Sequence, residues 1–264
     1  MRTSVLHPVG ALVEDVPVDA LGPDGIDDIR VLAAEHGVVV FRGQRLDDTQ
    51  FADFLRGLGD IVFTDGETPV DGHPDLNVIT NVGRTTTPRS TFHVDTSYVS
   101  HPPSYTALRA VTVPEAGGQT IFSNQYRAWE TLPENVRGDL AHRTLTHVVT
   151  GLELPDDAES SAVHPLVTTH PLSHRQSLYM STPARCASIS GMSASSTAET
   201  VQYLYAHSTA EDNVYRHTWR AGDVVLWDNR CVMHRADHSG VVGDRVMHRG
   251  MATDGHDHAG VTAR

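Results

Sequence analysis

Apolar and polar positions divide the chain into many short segments. Residues 1–20 alternate loosely around two prolines, which predicts an edge strand or an extended entry segment. From Gly25 the spacing changes: Ile26, Ile29, Leu32 and Ala33 share one helical face, and the pattern stops at His36-Gly37. Val38-Val39-Val40-Phe41 follows as a short buried strand. Asp47-Asp48-Thr49 then caps a second helix carrying Phe51, Phe54, Leu55 and Leu58 on one face, with Gly59 at its end. Residues 64–75, rich in Gly, Pro and Asp, predict a loop, and 76–80 a strand. A polar loop at 83–89 leads into residues 91–98. As a strand, these turn His93, Asp95 and Ser97 to one face and Phe92, Val94 and Thr96 to the other.

Beyond this stretch, strands are expected at 105–113 and 119–122, joined by a turn at Pro114-Glu115-Ala116-Gly117-Gly118. Short helices are expected around 126–131 and 133–141. The acidic, serine-rich segment 150–163 suits a mobile lid or a plain surface loop. A hairpin pattern joins 164–169 to 176–180. Ser196-Thr197-Ala198-Glu199 has the form of a capping box opening a helix with Val201, Leu204 and Tyr205 inward. The last part is again β, at 214–220, 224–227, 231–234 and 245–251. The tail, 254–264, has no pattern and is expected to fray, His256 and His258 with it. No repeat or linker interrupts residues 1–264, so a single domain is expected. Its class is mainly β with flanking helices (α+β), built on a double-stranded β-helix, or jelly-roll, core.

Composition narrows the function. With 264 residues, 39% of them hydrophobic and 20% charged, the chain is long enough for a sizeable core and has no apolar run of membrane-spanning length. The N-terminus lacks the apolar stretch of a signal peptide. Cys186 and Cys231 cannot form a disulfide framework and are expected to be reduced, which suits the cytoplasm. The net charge of −13 argues against nucleic-acid and anionic-membrane partners. An anionic ligand would have to be drawn in by local arginines.

An imidazole and a carboxylate two residues apart on one strand face supply two-thirds of a 2-His-1-carboxylate triad, which leaves positions open on non-haem Fe(II). Taken alone, His93-x-Asp95 is equally a polar strand face. His234, after a turn and a short strand, stands where a third donor could reach. Eleven residues on, Asp244-Arg245-Val246-Met247-His248-Arg249 puts Arg245 and Arg249 on one strand face, about 13 Å apart at ~3.3 Å per residue. Buried guanidinium groups need partners, and their planar fork suits carboxylates. Solvent-facing edge arginines are the bland alternative.

In this order, His93-x-Asp95, His234 and Arg245 resemble the taurine dioxygenase-like (TauD/TfdA) family of Fe(II)- and 2-oxoglutarate-dependent oxygenases. Pro114-Glu115-Ala116-Gly117-Gly118-Gln119-Thr120 is similar to the family's Gly-Gly-x-Thr turn. His164-Pro165-Leu166-Val167-Thr168-Thr169-His170-Pro171 is similar to its His-Pro segment. Trp219-Arg220-Ala221-Gly222-Asp223 and Leu226-Trp227-Asp228-Asn229-Arg230 match the approach to its second histidine, and Arg245-Val246-Met247-His248-Arg249 its closing Arg-x-Met-x-Arg. The resemblance runs from about residue 25 to residue 253.

It implies His93, Asp95 and His234 as iron ligands. It implies Arg245 and Thr120 on the distal carboxylate of 2-oxoglutarate, and Arg249 toward an anionic substrate group or the co-substrate. Asn81, and His73 in the loop Gly66–His73, are further candidates for the substrate side. The implied reaction oxidises, most simply hydroxylates, a small anionic or amino-acid-like compound, converting 2-oxoglutarate and O₂ to succinate and CO₂. Desaturation or cyclisation belongs to the same class. Related halogenases carry a small residue at the position of Asp95, so its presence favours hydroxylation over halogenation. Relatives commonly form dimers or tetramers. Two other readings use the same residues: a zinc hydrolase, which would give Arg245 no purpose, and a catalytically silent small-molecule binder.

Overall fold

The computed structural model describes residues 1–64, 66–84, 90–152 and 154–255. Residues 85–89 of the polar loop, and the tail from 256 with His256 and His258, lie outside them. A nine-stranded sheet forms the larger layer. Its order is Arg2–Val5, Ala11–Glu14, Val38–Phe41, Val224–Asp228, Tyr105–Thr112, Val246–Thr253, His73–Thr80 and Pro69–Val70, with Asp60–Val62 paired to the far end of Val246–Thr253. Opposite lies a three-stranded sheet, Val214–His217, Thr120–Asn124 and Val232–Ala236. Strands Ser161–Pro165, Thr144–Val148 and Cys186–Ile189 form a further sheet, and Val167–Thr169 pairs with Gln176–Leu178. This is the expected mainly β, jelly-roll architecture with flanking helices.

The large sheet uses both faces, so its central strands read as continuous apolar runs. Val38–Phe41 and Val224–Asp228 are buried at every position. On the outer face, Val39, Phe41, Ala107, Val224 and Leu226 pack against helices Pro23–His36 and Asp48–Leu58. On the inner face, Val38, Val40, Leu108, Val225, Trp227 and Met247 meet Phe122 and Val232 of the smaller sheet. The second helix is legible to its cap: Asp47 accepts from Gln50 N, and the Gln50 side chain accepts from Asp47 N.

Some sequence expectations shift. Residues 91–98 form no strand. His93 makes an isolated bridge to His234, and a turn follows in which Thr96 adopts φ 49°. Ser97 therefore leaves the face it was assigned and bonds His147 Nδ1 at 2.9 Å. The strand expected at 76–80 begins at His73, and Pro69–Val70 pairs with it inside the expected loop. The helix expected to start at Ser196 is Ala194–Ser208; the capping hydroxyl is that of Ser193, which accepts from Ser196 N. Residues 161–163 of the expected lid belong to a strand, and Glu159 accepts two hydrogen bonds from Ser100. Asp254, expected to fray, accepts from Arg230 at 2.8 Å and from Ser104 at 2.9 Å. Cys186 and Cys231 are both buried thiols. Among the described residues no helix is long and apolar enough to cross a membrane.

Candidate active site

The two histidines are brought together by backbone pairing. His93 N donates to His234 O at 3.0 Å and His234 N to His93 O at 2.9 Å. Residues paired this way across antiparallel strands project their side chains to the same face, and here the imidazole centroids lie 4.4 Å apart. The turn after His93 returns Asp95 to the same point. Its Oδ1 is 3.5 Å from His93 Nε2 and its Oδ2 3.7 Å from His234 Nε2. One ligand atom from each residue lies within 4.8 Å of the other two.

The surroundings prepare these atoms as donors. His93 Nδ1 bonds Thr91 O at 2.8 Å, which fixes the proton on Nδ1 and leaves the Nε2 lone pair for the centre. Burial pulls His234 down to about 3, so its ring is neutral at neutral pH. Burial alone would raise the Asp95 carboxyl, but the two imidazoles and the Arg249 guanidinium hold it well below the usual carboxylate range. A buried relay orients it: Trp227 Nε1 donates to Asn229 Oδ1 (3.1 Å), Asn229 Nδ2 to Thr106 Oγ1 (2.9 Å), and Thr106 Oγ1 to Asp95 Oδ2 (2.9 Å). Two imidazoles and one carboxylate, converging from one side, suit a divalent metal that keeps open positions.

Arg245 has a different environment. It is 2% exposed, and among the described residues no acid pairs with it. Burial pulls its guanidinium down to about 10. Its Nε donates to Gly118 O at 2.9 Å, and its Nη2 lies 3.5 Å from Thr120 Oγ1, which also accepts from Trp219 Nε1 at 3.1 Å. With both donors on the Thr120 oxygen, its own O–H is left to donate. Gly117 and Gly118 both take positive φ, 70° and 69°. A Cβ on Gly118 would come within 3.0 Å of Arg245 Cδ, so the Gly-Gly turn makes the room the arginine occupies. A buried cation beside a hydroxyl donor, with no acid of its own, fits an incoming carboxylate.

Arg249 points to the His-Asp-His cluster, with Nη1 3.6 Å from Asp95 Oδ1. Its Nη2 donates to Glu67 Oε2. Burial opposes its charge, but Asp95 and Glu67 prevail and hold it above the usual arginine range. Asn81 is occupied elsewhere. Its Nδ2 donates to Gly243 O and its Oδ1 accepts from Arg245 N, so its carboxamide clamps the start of the arginine strand rather than facing a substrate. His73 pairs with Val70 at the end of a hairpin, four residues and about 13 Å along the strand from the residue opposite Arg249. Glu67, Asn77, Thr106 and Trp227 join the site without having been assigned to it. Of these, Trp227 stands in the Leu226-Trp227-Asp228-Asn229-Arg230 motif and Glu67 is, with Asp71, one of two acids in the loop before His73; Asn77 and Thr106 carry no such signal.

The fold and site define a class: a jelly-roll β protein with a 2-His-1-carboxylate cluster between its sheets and a buried arginine that no described acid pairs. The chain belongs to the taurine catabolism dioxygenase TauD, TfdA family, whose model matches residues 3–251. It is 31% identical to an alpha-ketoglutarate-dependent 2,4-dichlorophenoxyacetate dioxygenase of Cupriavidus pinatubonensis, over 94% of this chain and 96% of that one. It is 28% identical to an alpha-ketoglutarate-dependent sulfate ester dioxygenase of Pseudomonas putida, over 88% and 83%. The crystal structure of a taurine dioxygenase from Burkholderia xenovorans superposes with a TM-score of 0.83 at 29% identity, covering 96% of this chain and 90% of that one.

Proposed function

We propose that this protein is an Fe(II)- and 2-oxoglutarate-dependent dioxygenase that hydroxylates a small anionic or amino-acid-like compound, with 2-oxoglutarate and O₂ converted to succinate and CO₂. His93, Asp95 and His234 would hold the metal, which supplies the redox chemistry with O₂ when bound. Arg245 and Thr120 would grip the distal carboxylate of 2-oxoglutarate, and Arg249 would face the substrate side. The observation that carries this reading is Arg245, a cation 2% exposed with no acid of its own among the described residues, beside the Thr120 hydroxyl. A zinc hydrolase gives that arrangement no purpose, and the intact His-Asp-His cluster beside it speaks against a silent binder. The relatives support the same co-substrate, and the substrates in their names, a phenoxyacetate and a sulfate ester, are organic anions.

The chain's own contribution is orientation and charge. The His93–His234 bridge sets two imidazole donors, Thr106 holds Asp95, and the apolar wall of Trp227 and Phe122 keeps water from the back of His234. The test is Fe(II)-dependent formation of succinate from 2-oxoglutarate by purified protein in air. Turnover that Asp95→Ala abolishes is expected. Turnover retained by Asp95→Ala, or none with iron loaded and a broad panel of small acids supplied, would overturn the reading.

A further inference from the structure

The two arginines of the closing strand keep different company. Arg245 has no acid among the described residues, whereas Arg249 has two, Asp95 Oδ1 at 3.6 Å and Glu67 Oε2. A guanidinium already paired with Glu67 is a poor receptor for a simple anion. Glu67 is held in place by the backbone beside it: Val78 N donates to Thr68 O at 2.9 Å, and Pro69 pairs with Asn77. Only one oxygen of Glu67 is used, and Oε1 has no hydrogen bond among the described residues.

Asn77 completes the picture. It stands directly opposite Arg249 in the antiparallel pair, so the two side chains share the inner face with Cβ atoms about 5 Å apart. It is 1% exposed, and among the described residues neither its amide nitrogen nor its amide oxygen has a partner. Arg249 Nε is likewise buried and, among the described residues, unpartnered. A buried polar group left unmet is costly, and three of them lie on this facing pair, whose Arg249 reaches Asp95 of the His-Asp-His cluster.

Building on the oxygenase reading, we propose that Glu67 and Asn77 form a receptor for an ammonium group, so that the substrate is a zwitterionic amino compound rather than a simple organic anion. An ammonium carries three donors and no acceptor. Glu67 Oε1 and Asn77 Oδ1 accept two of them, while Asn77 Nδ2 and Arg249 Nε remain to donate to the acid end of the same molecule. Glu67 also acts against the wrong ligand. An amine-free acid reaching Arg249 meets a carboxylate already there, and like-charge contact of this kind is what separates close analogues. The phenoxyacetate in the relative's name carries no amine, so the two sites would differ at this point.

The experiment uses anaerobic protein loaded with Fe(II) and 2-oxoglutarate, whose weak visible charge-transfer band must form first. Failure of that band defeats the oxygenase reading itself and is distinguishable from failure of the receptor. Given the band, its perturbation is titrated with the twenty proteinogenic amino acids and taurine. Their amine-free counterparts, the 2-hydroxy acids and isethionate, are titrated alongside, with 2,4-dichlorophenoxyacetate as a further simple anion. At least one amine-bearing compound is expected to bind the wild type about tenfold or more tighter than its counterpart. Glu67→Gln should weaken that compound about tenfold while tightening the amine-free acids. Counterparts binding the wild type equally well, every amine-bearing probe silent, or Glu67→Gln leaving the ratio unchanged would each overturn the proposal. The wild-type ratio decides alone if the variant melts early.

Discussion

Arg245→Met separates a residue kept for a ligand from one kept for the fold. Burial without an acid lowers the Arg245 guanidinium from 12.5 to about 10. At about 1.4 kcal/mol per pH unit, that is roughly 3 kcal/mol against the charged form in the folded protein. The sign follows from linkage. A base whose folded value lies below its unfolded one destabilises the protein while charged, so the penalty is fully present at neutral pH and relieved only as pH rises past about 10. Methionine keeps most of the volume and removes the charge, at the loss of the Nε bond to Gly118 O, about 1 kcal/mol. The net gain is about 1–2 kcal/mol, and Tm of the metal-free protein should rise by roughly 2–6 °C. Affinity for 2-oxoglutarate moves the other way. Losing a charge-assisted, two-pronged contact costs about 3–4 kcal/mol, a Kd at least about a hundredfold weaker. Differential scanning calorimetry and anaerobic titration read the two effects. A variant that melts several degrees lower, or one that binds 2-oxoglutarate normally, would refute the reasoning.

Three further outcomes follow from the same geometry. Thr106→Val removes the hydroxyl that holds Asp95 Oδ2 and should lower metal affinity about tenfold by equilibrium dialysis; unchanged affinity would show that the relay does not orient the carboxylate. Gly118→Ala places a methyl 2.9 Å from Pro114 Cγ and 3.0 Å from Arg245 Cδ at φ +69°. It should weaken 2-oxoglutarate about tenfold and cost about 1–2 kcal/mol of stability, and a Kd equal to wild type would contradict the close-approach argument. Asp228 is fully buried; burial opposes its charge, but Arg230 and His170 hold its carboxyl far below the usual range. A carboxyl lowered by folding contributes stability above its unfolded value near 3.8 that drains as pH falls below it. Asp228→Asn should cost about 3 kcal/mol at pH 7 and flatten the acid limb of the stability curve; an unaltered limb would assign acid unfolding to other carboxylates.

The grouping of His93, Asp95 and His234 was legible because their residue types and order carry the chemistry, although their local conformation was not. His-x-Asp suggests a strand face, yet Asp95 reaches the centre through a turn with Thr96 at φ 49°. Pairing with a distant strand places His93, and local alternation cannot register such a contact. The helix Asp48–Leu58 was readable to its cap because every signal there is local, from the reciprocal Asp47–Gln50 bonds to the spacing of Phe51, Phe54, Leu55 and Leu58. The helix Ala194–Ser208 was misplaced at its start because several serines there could cap, and only backbone geometry selects Ser193. Asn77 left no trace in the sequence. A single asparagine in a short strand gains meaning only from the register that sets it opposite Arg249. Asn81 had the reverse fault: an amide near the site, spent on the backbone of Gly243 and Arg245.

The central claim is that His93, Asp95 and His234 hold iron while Arg245 presents 2-oxoglutarate to it. Anaerobic addition of Fe(II) and then 2-oxoglutarate to the metal-free protein tests it most directly, by the visible charge-transfer band of the ternary complex. A band is expected in the wild type, none in Asp95→Ala, and in Arg245→Met a band that needs about a hundredfold more 2-oxoglutarate to develop. An iron-loaded wild-type protein that shows no band, or an Asp95→Ala variant that shows a full one, would contradict it.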